Sequence, residues 1–187
     1  MMTQIQVIDG GVTAPKGFLA ASAAAGIKYA GRDDMAMICS VADAVSAGTY
    51  TTNRVKAAPV IWDREATMSS RPVRAVVINS GIANACTGEA GRRACGETAK
   101  KAAEVLGIPE SSVLIGSTGV IGAQLPVDRV KNGIERLAPA LSDTLEAGTR
   151  AAQAIMTTDT AMKSIAVSFE IGGVECRQIG RASCRER

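Results

Sequence analysis

Short apolar runs rich in β-branched residues mark the chain at intervals. Met35–Val41 (MAMICSV) and Val73–Asn79 (VRAVVIN), each bounded by polar residues, predict strands, and Ala58–Trp62 and Val113–Ile115 are shorter runs of the same kind. Further on, the pattern changes to strict alternation. Ile165, Val167, Phe169 and Ile171 put one apolar face on a strand over Ser164–Ile171. Gly172-Gly173 then offers a two-residue turn into Val174–Ile179, which predicts a hairpin.

Between these runs the period lengthens to that of a helix. Glu89–Leu106 carries Ala90, Ala94, Thr98, Ala102 and Val105 on a face of small residues, and Gly107 is placed to stop it. Val127–Leu137 follows Pro126 and spaces Val127, Val130, Ile134 and Leu137 by threes and fours. Asp143–Met156 opens with Asp143 as an N-cap candidate and Glu146 three residues on, the spacing of a capping box. No internal repeat or low-complexity linker interrupts the order. The elements predict a layered α/β sandwich, without the clean βαβ alternation that would set a Rossmann strand order.

Composition narrows the chemistry. At 187 residues and 47% hydrophobic residues, the chain is long enough for one domain with a real core. Its five aromatic residues leave almost no stacking faces for single-stranded nucleic acid. There is no His, so a Ser-His-Asp triad, a Cys-His dyad and a His-ligated zinc are all excluded, and no metal site is expected. Acyl transfer would need a Lys, a carboxylate or the free amine of an N-terminal nucleophile as its base. Five scattered Cys without CxxC spacing read as reduced thiols of a cytoplasmic protein. The start lacks the pattern of a signal peptide, and the longest weakly polar run, Phe18–Ile27, is too short to span a bilayer.

The net charge of +3 is local. Residues 177–187 hold four Arg against Glu186, while residues 1–176 hold 17 basic and 17 acidic groups. A neutral body gives no reason to expect nucleic acid or a membrane as partner. The abrupt change divides the chain into a body over 1–176 and a tail over 177–187 that reads as non-native sequence.

Three constellations can carry chemistry. Gly116-Ser117-Thr118-Gly119-Val120-Ile121-Gly122 follows a strand, and its glycines allow successive N–H groups to face one concavity. With the Thr118 hydroxyl such a nest suits a phosphate, a carboxylate or a developing oxyanion; a plain turn between strand and helix is the simpler reading. Asn79–Gly88 (NSGIANACTG) reads as loop architecture, with Asn79 and Asn84 bonding backbone groups and Thr87 capping the next helix. Cys86 within it is a poor nucleophile, having neither His nor Lys beside it. Met156-Thr157-Thr158-Asp159-Thr160 gathers hydroxyls and a carboxylate that serve equally for substrate contact or for turn chemistry.

These stretches, with Gly11–Phe18 (GVTAPKGF) and Thr51–Val60 (TTNRVKAAPV), make five motifs in order over residues 10–173. Together they resemble the first half of the ornithine acetyltransferase (glutamate N-acetyltransferase) family of arginine biosynthesis. The resemblance implies a layered α/β fold and a precursor that cuts itself before a Thr. That Thr becomes the nucleophile of the β chain and uses its own amine as base. It implies ping-pong transfer of acetyl from N-acetylornithine to L-glutamate, with acetyl-CoA as a further donor in some members and no other cofactor. It also implies α and β chains assembled as an α2β2 heterotetramer. Thr118 and Gly119 match the family's oxyanion-hole pair, and Thr157 matches a substrate-contacting Thr.

Two departures stand out. Met162 occupies a position where the family commonly has Pro. More seriously, the chain runs through Gly180-Arg181-Ala182-Ser183-Cys184-Arg185-Glu186-Arg187 where the family continues through a Gly-Met-Ala-Lys-Gly-Ser-Gly type stretch to the cleavage site. The stretch's Lys, a substrate contact in the family, and the nucleophilic Thr are therefore absent, and the 187-residue chain alone is expected to be inactive. Two rival readings are a related self-processing aminopeptidase and an anion- or nucleotide-binding module built on Gly116–Gly122. The Thr51–Val60 and Met156–Thr160 segments favour the acetyltransferase, and the missing GK[ST] counts against the nucleotide module.

Overall fold

A computed structural model describes residues 4–181. The long apolar runs form one four-stranded sheet, ordered β2 (Phe18–Ala23), β3 (Met35–Ala44), β4 (Val73–Ile82) and β5 (Val113–Val120). The first three strands are antiparallel; β4 and β5 are parallel and joined through α2 (Gly88–Leu106). Alternation along β3 gives the sheet two buried faces. Met35 and Met37 share a core with Ala94, Cys95, Ala99 and Ala102 of α2 and with Val130, Ile134 and Leu137 of α3 (Val127–Leu137). Ala36 points the other way, with Ala20 of β2, onto Ala151 and Ala154 of α4 (Leu145–Ala154). Helices on both faces make this the expected layered α/β architecture. Small residues on α2 and α4 let these helices approach the sheet closely.

A second, antiparallel sheet has the order β1 (Gln6–Ile8), β6 (Ser164–Ile171), β7 (Val174–Arg181). The β6–β7 hairpin turns at Gly172-Gly173, with Ile171 opposite Val174. Ala166 is buried beside the Gly10–Ala14 bend. From that bend the Thr13 hydroxyl donates to the Thr144 carbonyl at 3.1 Å. The Gly11–Phe18 motif thus joins the small sheet to the start of α4.

Several expectations change in three dimensions. Ala58–Trp62 is not a strand; it opens a helix, α1 (Ala58–Met68), with Pro59 in its first turn. Pro costs nothing there, because the first N–H groups of a helix have no partner to lose. Val60 and Ile61 mimic a strand only when the following DREATM is left out of the window. Thr144, not Asp143, is the N-cap of α4: its Oγ1 accepts the Ala147 N–H at 3.2 Å. Thr87 occupies the N-cap position of α2, but its hydroxyl donates to Asn84 Oδ1 at 2.8 Å rather than capping the helix. β7 continues to Arg181, so Arg177–Arg181 of the charge-defined tail are paired with β6. The rest of that tail, Cys184 included, lies outside the described residues. Among the described residues no helix is long and apolar enough to cross a membrane.

Candidate active site

Gly116–Val120 is not a turn. It is the second half of β5, paired residue for residue with Ile78–Ile82 of β4, and only Ile121-Gly122 leave the sheet. At the far end of this ladder the strands come too close for side chains. Gly119 has φ of +133°, and a Cβ there would sit 2.3 Å from the carbonyl carbon of Gly81, which itself has φ of +107°. Glycine is required at Gly119 by both sterics and conformation.

The ladder also decides what these residues expose. The Val120 carbonyl accepts the Ala83 N–H at 2.9 Å. Hydrogen bonding alternates along a parallel strand, so with Val120 turned to β4 the odd-numbered residues of the regular part of β5 turn their backbone groups to its outer edge. The same parity governs the first half of that edge, where α1 supplies partners. Asp63 Oδ1 accepts the Ile115 N–H at 2.8 Å, and the Trp62 indole donates to the Val113 carbonyl at 2.9 Å. Burial pushes the Asp63 carboxyl up to about 6, offset in part by that N–H.

Side chains at paired positions share a face of the sheet. Ser117 and Asn79 meet on the α2 side, with the Ser117 hydroxyl donating to Asn79 Oδ1 at 2.7 Å. Thr118 and Ser80 therefore lie on the α4 side. The Ser80 hydroxyl donates to the Ala154 carbonyl at 2.7 Å, which brings the end of α4 to the Thr118 end of the sheet. Met156-Thr157 follows directly. Among the described residues, neither the Thr118 nor the Thr157 hydroxyl takes part in an intramolecular hydrogen bond, and both residues are partly open to solvent.

The Asn79–Gly88 stretch is scaffolding. Asn79 Nδ2 donates to the Ile82 carbonyl, and buried Asn84 donates to the Gly91 carbonyl at 3.0 Å and to Cys95 Sγ at 3.3 Å. Gly122 N–H donates to the Ala85 carbonyl, tying the turn after β5 to this loop. Cys86 is exposed, at φ of +57°. Burial, with the charge of Asp63 second, drives the Cys95 thiol up to about 12, so it is no nucleophile.

Sequence reasoning passed over Ser80, Asp34 and Arg32, which tie the loop before β3 and the end of α4 to β4. Their signal is faint: Asp34 is a charged residue at the mouth of an apolar strand, and its meaning depends on partners far along the chain.

A sandwiched sheet that ends in a Gly-to-Gly contact, with the Thr118 hydroxyl beside it taken up by no hydrogen bond among the described residues, defines a layered α/β protein with a hydroxyl donor at a strand end. The family is shown directly. A model of the ArgJ family matches residues 19–183, and the chain belongs to that family. An arginine biosynthesis bifunctional protein ArgJ of Symbiobacterium thermophilum is 54% identical over 168 residues, 89% of this chain and 41% of the relative. A chloroplastic ArgJ of Oryza sativa is 44% identical over 94% of this chain and 38% of its own length. The chain thus spans about two fifths of the length of these curated relatives. Among solved structures, an ArgJ chain from Bacillus halodurans superposes with a TM-score of 0.92 at 36% identity, covering 97% of this chain and 94% of that one. The ornithine acetyltransferase of Mycobacterium tuberculosis, complexed with ornithine, gives 0.88 at 38% identity, with 96% and 95% covered.

Proposed function

We propose that this chain supplies the oxyanion hole and part of the substrate pocket of an ornithine acetyltransferase that moves acetyl from N-acetylornithine to L-glutamate. The observation that carries the reading is the Thr118 hydroxyl at the end of β5, which no hydrogen bond among the described residues takes up, next to a Gly119 whose backbone conformation only glycine adopts; the Gly119 N–H is the second donor of this reading. A nucleophilic Thr on the β chain of the same precursor attacks the acetyl carbonyl, its own amine taking the hydroxyl proton. The carbonyl oxygen becomes an oxyanion held by Thr118 and Gly119. Collapse breaks the C–N bond, the released ornithine amine takes the proton, and acetyl remains on the Thr as an ester. Attack by the glutamate amine on the ester passes through a second tetrahedral state in the same hole; the C–O bond to the Thr breaks, and the proton lost by the attacking amine returns to the Thr oxygen by way of the Thr's own amine. Acetyl-CoA, attacked at its thioester carbonyl, serves the same site as an additional donor, and no other cofactor is required. Thr157, on the same face as Thr118, contacts the amino-acid substrate. The assembly is an α2β2 heterotetramer acting in the cytoplasm.

The test is made in a full-length hybrid, with this chain replacing the matching portion of the Symbiobacterium thermophilum relative. Thr118→Ala should lower kcat by about 100- to 1,000-fold with little change in KM, the loss expected for one oxyanion donor. An unchanged kcat removes the oxyanion role. The isolated 187-residue chain should not transfer acetyl to glutamate, and measurable transfer would show that the nucleophile lies within it.

A further inference from the structure

The end of α4 reaches Thr118 through a small buried network that the acetyl-transfer reading leaves unused. Asp34 is fully buried, and its carboxylate accepts the Ala25 N–H at 2.7 Å and the Ile27 N–H at 2.6 Å. This fixes the bend before β3. The Asp34 carbonyl accepts the Ser80 N–H at 2.8 Å, so the bend is also joined to β4. From it Arg32 reaches out with its guanidinium stacked on the Tyr29 ring, 4.7 Å from the centroid. Its Nη2 donates to the Met156 carbonyl at 2.5 Å and lies 3.5 Å from Ser80 Oγ, while Ser80 holds the Ala154 carbonyl. The Ala154 carbonyl is the last of α4, where helical acceptors have no partner of their own, and the Met156 carbonyl lies two residues further on, past the C-cap Ile155. A cation there is doubly favoured, by hydrogen bonding and by the helix dipole.

We infer that Arg32, braced by Asp34 and Ser80, is a positioning residue that holds Met156 against β4 and so sets where Thr157 meets the substrate beside Thr118. The inference rests on the functional reading above for the role of Thr157, but the clamp itself can be tested without it. Among the described residues, Ser80 is the side-chain partner of the Ala154 carbonyl and Arg32 that of the Met156 carbonyl, while Ala154 is also held by core packing that Met156 lacks. Losing Arg32 therefore frees the Thr157 segment while β4 and β5 keep their ladder.

Two measurements decide the matter. In the 187-residue chain, Arg32→Met should speed amide exchange at Met156, whose N–H donates to the Gln153 carbonyl, by about fivefold or more. Exchange in β4 and α2 should be unchanged, and Arg32→Lys, which keeps a charged donor, should stay within about twofold of the parent. Equal exchange at Met156, or acceleration of the whole domain together, overturns the clamp. In the full-length hybrid, Arg32→Met should raise KM for N-acetylornithine about tenfold with kcat within about twofold. Thr157→Val should do the same, and the double variant should be no worse than either, because both act through one contact. Additive effects, or a fall in kcat alone, would overturn the positioning role. If Thr157→Val leaves KM unchanged while exchange at Met156 responds to Arg32, the substrate role of Thr157 fails and the clamp stands.

Discussion

Gly119 is where a single side chain decides most. An Ala Cβ would meet the Gly81 carbonyl carbon at 2.3 Å and hold φ near +133°, a region closed to L-residues. Gly119→Ala should cost about 3 kcal/mol or more, a fall in Tm on the order of 10 °C by differential scanning calorimetry. An unchanged Tm would mean that the strands separate freely at this point. Asp63 makes a pH-dependent prediction. Its carboxyl titrates at about 6 in the fold against an ordinary 3.8, so between these values the folded chain binds more protons than the unfolded one. This group's contribution is greatest below pH 4 and is lost as pH rises towards about 6. Asp63→Asn keeps an acceptor for the Ile115 N–H and removes the titration. It should leave Tm nearly unchanged at pH 4 and raise it by a few degrees at pH 7.5, about 1–2 kcal/mol after allowance for partial solvent screening. Equal Tm at both pH values would contradict the raised carboxyl. In the sequence, the density of glycine marks the stretch around Thr118 and Gly119, but reads more simply as a turn, and the pair is singled out only by the family resemblance. Asp63 is not legible there, because its role depends on a strand edge 52 residues away.

At the scale of elements, periodic patterns reported type well and ends less well. Val127–Leu137 is the helix its spacing predicts, and the Ser164–Ile171 hairpin forms around its two glycines. The errors share a physical origin. Ala58–Trp62 is a short apolar run, and short runs suit a strand or a helix equally until their neighbours are counted. Asp143 and Thr144 both suit an N-cap, and the choice falls to the residue whose hydroxyl reaches the Ala147 N–H while its carbonyl receives Thr13. Thr144→Ala should therefore destabilise by about 1 kcal/mol and Asp143→Ala by less than about 0.5, read from urea midpoints. The reverse order would restore Asp143 as the cap. Gly116–Val120 read as a turn because glycine is rare inside strands. It is a strand because a parallel partner with its own glycine lies beside it.

Over the whole molecule, the two sheets are treated differently. The four-stranded sheet is covered on both faces, whereas the small sheet buries Ala166 on one side and shows an apolar surface on the other. Ile5, Val7, Ile165, Ile171 and Val174 are each more than half exposed. Val7 lies opposite Val167, which shares its face with Ile165 and Ile171. A contiguous apolar face beside open strand edges favours association. The purified 187-residue chain should self-associate at concentrations on the order of 100 μM in sedimentation velocity. Val7→Lys with Ile171→Lys should reduce that association without lowering Tm, since neither side chain is in the core. A monomeric parent chain at that concentration would contradict this.

By itself the sequence determined the α/β class, most of the strands and helices, the lack of any His among these 187 residues, and a family resemblance carried by five ordered motifs. These follow from local periodicity and residue chemistry, which the chain carries wherever it goes. Only the tertiary structure decided that Gly119 presses on Gly81 and that Thr118 shares a face with Ser80. It also decided that Arg32 reaches Met156, 124 residues away. Such relations arise from register between strands and from which face each helix covers. Both are set by packing of the whole core, so no window of the sequence contains them.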